Sequence, residues 1–126
     1  MVNLRNLYRS FSYALTGIAK VFHEEQNFRI HIVSAVIVFI CGILLKIALW
    51  EWIIIIMLIA LMLMLEIFNS IIERFLDLFK PRLHQYVKDI KDLGAALVLL
   101  GAICSALIGL LVFLPKILEI FFKLTQ

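Results

Sequence analysis

Glu66, Asn69, Glu73 and Asp77 lie within the stretch EIFNSIIERFLD, residues 66–77. At 100° per residue they fall at about 0°, 300°, 340° and 20°, inside an arc of about 80° on one helical face. The opposite face is apolar, with Ile67, Phe68, Ile71, Ile72, Phe75 and Leu76. Carboxylates gathered this way repel one another, and burying each costs several kcal/mol unless a cation compensates. Hard oxygen donors suit Mg²⁺, above all together with phosphate oxygens. A second stretch, VKDIKDLGAA at residues 87–96, brings Lys88, Lys91 and Asp92. A lysine there has the charge to neutralise phosphate, and Gly94, Ala95 and Ala96 allow close helix approach.

The elements that must position these groups are apolar. The chain has 126 residues, is 64% hydrophobic and only 17% charged, and has a mean hydropathy of +1.08. A water-soluble domain of this size could not bury that much apolar surface, so the expected class is an all-α membrane protein. We expect one domain over residues 1–126, with a surface helix at about 4–27 and three spans at about 30–50, 51–79 and 88–114. A C-terminal tail at 115–126 is expected beyond Pro115, as an interfacial segment outside. Continuous apolarity favours helices over the alternating strands of a barrel. Trp50 and Trp52 mark an interface between the first two spans.

Leu7, Phe11, Ala14, Ile18 and Val21 recur at helical spacing, with Arg5, Arg9 and Lys20 elsewhere on the wheel. That pattern reads as an amphipathic helix on the membrane surface or against the bundle. The same register reaches Glu25. Periodicity leaves two alternatives open: a carboxylate on the buried face, or a helix that ends first and leaves Glu25 in solvent. Nine of the twelve Lys and Arg residues flank the start of the first span or lie between spans two and three. The positive-inside rule therefore puts the N-terminus and that connection in the cytoplasm.

Other chemistries are disfavoured. There is no GxxxxGK[ST] phosphate loop, protein-kinase signature or GxSxG elbow. His23, His31 and His84 are too dispersed for a zinc site, and Cys41 and Cys104 read as small buried hydrophobes. The first 27 residues lack the apolar core of a signal peptide. Basic residues border the spans and form no nucleic-acid patch.

EIFNSIIERFLD, followed fourteen residues after Asp77 by KDLGAA, with EEQNFRIH at residues 24–31 upstream, resembles the bacterial diacylglycerol kinase and undecaprenol kinase family. The resemblance covers nearly the whole chain. It implies a homotrimeric enzyme of the cytoplasmic (bacterial inner) membrane that transfers the γ-phosphoryl group of ATP to a lipid hydroxyl. Glu66 matches the family's proposed general base, and Glu25 and Glu73 its magnesium carboxylates. ATP-binding positions are implied at Tyr13, Glu25, Asn69, Glu73, Asp77, His84, Lys91 and Asp92. Lipid-substrate positions are implied at Asn27, Phe28, Glu66 and Ala95. Ile71 stands where the family commonly has a small Ala, and Ala95 where some diacylglycerol-specific members have Ser. With QNFRIH, Glu51-Trp52 and GLLVFLPK at residues 109–116, these features lean toward undecaprenol as substrate, with diacylglycerol as the alternative. A small oligomeric transporter or channel is the alternative of another class, although transport acids tend to lie at mid-span.

Overall fold

The structure is a computed structural model and describes residues 3–78 and 84–125, with the side chain of His84 outside the description. Four helices account for nearly all of these residues: α1 Leu4–Glu24, α2 Gln26–Leu44, α3 Leu49–Asp77 and α4 His84–Leu124. Three of them, α2, α3 and α4 from Gln85 onward, are long and apolar enough to cross a membrane.

α3 is the middle helix, packing on α2 on one side and α4 on the other, while α2 and α4 hardly touch. Both neighbours run antiparallel to it. Gly42 of α2 lies against Trp52, where an added Cβ would come within 2.8 Å of the indole. Gly101 of α4 lies against Leu65 and Met62, where an added Cβ would come within 2.7 Å. Missing side chains at these two positions let the backbones approach, which is how helices pack where lipid supplies no hydrophobic drive. Ile47, Ile55 and Val112 form a buried cluster, with Val38, Trp52 and Phe113 against it. Most other apolar side chains face outward, among them Val33, Ile37 and Ile40 on α2 and Leu100, Leu107 and Leu111 on α4. So much exposed apolar surface requires lipid or protein around it, and the chain is an integral membrane protein.

Several boundaries differ from those expected. The first helix stops at Glu24, and one extended residue, Glu25 (φ −99°, ψ 116°), separates it from α2. Arg29 secures that break by donating from Nη1 to the carbonyls of Phe22 (3.0 Å) and His23 (2.8 Å), which the ending helix leaves unpaired. α2 ends at Leu44, so Trp50 belongs to α3. The turn between them puts Lys46 at φ 49°. α3 begins with Glu51 accepting a hydrogen bond from the Ala48 backbone N–H, and Lys116 Nζ of α4 lies 3.6 Å from the same carboxylate. α3 is followed to Leu78; the expected end at Phe79 lies outside the described residues.

α4 does not stop before Pro115 but carries it inside the helix and continues to Leu124. Proline removes one intrahelical bond, a loss that membrane helices tolerate. Residues 115–124 are thus an extension of α4 and not a separate segment. Cys104 is exposed and Cys41 intermediate, so neither is the buried hydrophobe expected.

Candidate active site

The polar face of α3 is buried at Glu66, Asn69 and Ser70, half-buried at Glu73 and exposed at Asp77. Glu66 is 2% exposed, Ser70 2% and Asn69 9%. Continuation of the helix past the apolar run follows from the absence of Gly or Pro between Trp52 and Leu78. Its phase then turns all three side chains toward the break between α1 and α2 and toward the start of α4.

Glu66 Oε2 has no hydrogen-bond partner, and His31 Nε2 of α2 lies 4.0 Å away. Asn27, Glu25 and Glu73 are all near enough to act on the Glu66 carboxylate electrostatically. The break at Glu25 does not leave that residue in solvent. Its Oε1 accepts from Ser70 Oγ at 2.8 Å and from Arg74 Nη2 at 3.3 Å. Arg74 also pairs with Glu24 at 3.0 Å. Two carboxylates from the α1–α2 junction are therefore tied to α3 through one guanidinium and one hydroxyl. One turn along, Asn69 Nδ2 donates to Glu73 Oε1 at 3.1 Å. Asn69 Oδ1 is buried without a partner and faces Gly94 of α4 so closely that a Cβ there would collide with it. Lys91 Nζ of α4 pairs with Asp77 Oδ1 at 2.7 Å, closing the cluster on the side away from the apolar spans.

Of the residues singled out in the sequence, Glu25, Asn27, Glu66, Asn69 and Glu73 come together, and Asp77 and Lys91 extend the group. Asp92 and Tyr13 are exposed and make no hydrogen bond or ion pair among the described residues. The side chain of His84 lies outside the described residues. Ala95 is exposed on α4, beside buried Gly94. Phe28 is 2% exposed and packs within the chain beneath the break, so it offers no surface to a lipid. Sequence reasoning passed over Ser70 and Arg74, which hold Glu25. Ser70 lies at about 40° on the wheel, next to the arc of the acids. A basic residue adjoining Glu73 was the only signal for Arg74.

The site thus presents an unpartnered carboxylate oxygen shielded from water, two further carboxylates, an amide and a lysine, at one end of three membrane-length helices. That set can accept a proton, bind a hard cation and neutralise phosphate charge. The family profile of prokaryotic diacylglycerol kinases matches residues 12–113. The chain is 40% identical over 114 residues to the undecaprenol kinase of Bacillus subtilis, covering 90% of this chain and 93% of that protein. It is 33% identical over 116 residues to the diacylglycerol kinase of Synechocystis, covering 91% of this chain and 66% of that protein. No solved structure gives a significant match. The chain belongs to the prokaryotic diacylglycerol kinase family and is a lipid kinase, a phosphotransferase with an alcohol as acceptor.

Proposed function

We propose that the protein phosphorylates undecaprenol with ATP and Mg²⁺, giving undecaprenyl phosphate at the cytoplasmic face of the inner membrane. The observation that carries this reading is the buried Glu66 carboxylate, whose Oε2 has no donor, at the membrane end of a carboxylate cluster. The lipid hydroxyl approaches from the apolar side and gives its proton to Glu66 Oε2 as its oxygen attacks the γ-phosphorus. The bond to the β–γ bridging oxygen breaks, and ADP leaves. Asn27 and His31 orient the Glu66 carboxylate, and Lys91 faces the nucleotide phosphates from α4. Positioning and charge neutralisation carry most of the catalysis in phosphoryl transfer.

The residues fit a magnesium ion held by Glu25 and Glu73. Each of these carboxylates accepts its hydrogen bonds through Oε1. Among the described residues no three His, Cys, Asp or Glu side chains are placed so as to hold a metal ion by themselves. Mg²⁺ is commonly held by one or two carboxylates completed by phosphate oxygens and water, so a pair suffices. When bound, the ion neutralises charge on the phosphate oxygens. Tyr13, Asp77, His84 and Asp92 complete the proposed nucleotide site and Ala95 borders the lipid.

The preference for undecaprenol rests on the higher identity to the Bacillus enzyme and on Ala95, which lacks a hydroxyl. The relationship to the Synechocystis protein favours diacylglycerol as the second reading. We further propose that α1 lies on the cytoplasmic membrane surface, where exposed Leu4, Leu7 and Phe11 enter the lipid boundary. Residues 1–126 would form one domain and assemble as a homotrimer, which would cover part of the exposed apolar faces of the spans. Purified protein in mixed micelles, given labelled ATP and Mg²⁺, is expected to label undecaprenol more efficiently than diacylglycerol. Labelling of neither lipid by folded protein refutes the reading, and the ratio of the two decides the substrate.

A further inference from the structure

Three basic side chains stand around the acidic cluster, and they have different tasks. Arg29 is occupied by the carbonyls of Phe22 and His23. Lys91 is paired with Asp77. Arg74 reaches the carboxylates of the α1–α2 junction, with Nη2 at 3.0 Å from Glu24 Oε2 and 3.3 Å from Glu25 Oε1.

This pairing bears on any divalent cation that enters. Glu25 is one of the two carboxylates that suit magnesium, so metal and guanidinium meet on the same group. Ser70 and Arg74 both donate to Glu25 Oε1. A metal taking Oε2 comes to lie beside a group of like charge, so it either binds weakly or displaces that group. Arg74 is free to be displaced. Its side chain is 36% exposed, and both of its ion pairs run through the single nitrogen Nη2. A guanidinium carries five donors in a planar fork, a shape that matches phosphate oxygens two at a time.

We propose that Arg74 is a stand-in cation, exchanged for the metal when nucleotide arrives. With no nucleotide bound it neutralises Glu24 and Glu25 and keeps a divalent ion from settling there alone. When metal and nucleotide enter together, the metal takes over Glu25 and the guanidinium turns to the phosphate oxygens. Metal and nucleotide therefore load as a pair. The proposal rests on the lipid-kinase reading of the site and adds Arg74 to its phosphate contacts.

The test uses the full chain in detergent micelles without a lipid acceptor, so that turnover does not enter. Mn²⁺, followed by the paramagnetic signal of the free ion, is titrated first alone and then with a non-hydrolysable ATP analogue. Arg74→Met keeps the apolar stem and removes the charge. It is expected to bind Mn²⁺ alone about tenfold more tightly and the Mn²⁺–nucleotide complex about tenfold less tightly, the scale of one hydrogen bond to a charged group. The opposite signs are the signature. Loss of both affinities makes Arg74 a structural tie, a gain in both removes it from the phosphates, and no change in either removes it from the site; each overturns the proposal.

Arg74→Lys keeps the charge and lacks the fork, and it guards against a methionine variant that fails to fold. It is expected to bind Mn²⁺ alone as the wild type does and the nucleotide complex severalfold more weakly. Tighter binding of Mn²⁺ alone, or an unchanged affinity for the complex, overturns the proposal. Failure of the wild type to label any lipid alcohol from ATP would refute the kinase reading and leave these affinities standing.

Discussion

Replacing Gly94 with alanine puts a methyl carbon onto Asn69 Oδ1, and the two cannot share that space. Either α4 withdraws from α3 or the Asn69 amide rotates. Overpacking of this kind costs about 1–3 kcal/mol, offset by up to about 1 kcal/mol of helix propensity. A fall in Tm of several degrees follows. Rotation of the amide also breaks the 3.1 Å bond from Asn69 Nδ2 to Glu73. A hydrogen bond to a charged group contributes about 1.5–3 kcal/mol. If that orientation is realised in the transition state, kcat/KM falls about ten- to a hundredfold.

Thermal unfolding in detergent and a magnesium titration of lipid phosphorylation read the two effects separately. Gly109→Ala is the control: its Cβ enters open space, so Tm should hold or rise slightly. Adding Asn69→Ala to Gly94→Ala removes the clash, so Tm should recover while activity does not. Wild-type Tm and kcat/KM in Gly94→Ala would refute the reasoning, because they would mean that α4 does not press on Asn69.

Glu66→Gln keeps the shape and removes the base, so turnover should vanish while nucleotide affinity, followed by a fluorescent ATP analogue, persists; near-normal turnover rules out the role. Ser70→Ala removes the 2.8 Å hydroxyl bond to Glu25 and should raise the magnesium concentration for half-maximal activity severalfold, with Glu73→Gln acting in the same direction more strongly; an unchanged titration in either variant removes that residue from the metal site. Lys116→Met leaves the buried Glu51 carboxylate with the Ala48 N–H but without its cation and should lower stability by about 1–3 kcal/mol. Because Glu51 and Glu66 are fifteen residues apart on one helix, about 22 Å, kcat/KM should stay at the wild-type value, and a large loss would show that the two ends are coupled.

The acidic stripe and the close approach at Gly94 could be read from the sequence because both follow from the helical period. An apolar run without Gly or Pro continues as helix, and the phase of Glu66, Asn69 and Glu73 is then determined. The break at Glu25 has no such local signal. HEEQNF, residues 23–28, contains no turn residue stronger than Asn27. The break is held by Arg29 across the last carbonyls of α1 and by Ser70 and Arg74 on Glu25. These contacts span up to forty-nine positions, beyond the reach of a periodicity argument. Pro115 misled in the opposite direction, since its local preference to end a helix yields in α4. Burial of Phe28 likewise depends on how α2 packs and not on its neighbours in sequence.

The unbroken course of α3 from Leu49 to Asp77 makes it a ruler. It starts at the far end of the bundle, where Glu51 is buried, and carries Glu66, Asn69 and Glu73 at fixed heights and angles from that origin. Adding or removing one residue in the Trp52–Leu65 segment would shift Glu66 by about 1.5 Å along the axis and turn it by about 100° relative to the origin. The site therefore depends on the length of a segment that takes no part in the chemistry. Substitutions within that segment are filtered for bulk and polarity, but insertions and deletions are filtered for phase.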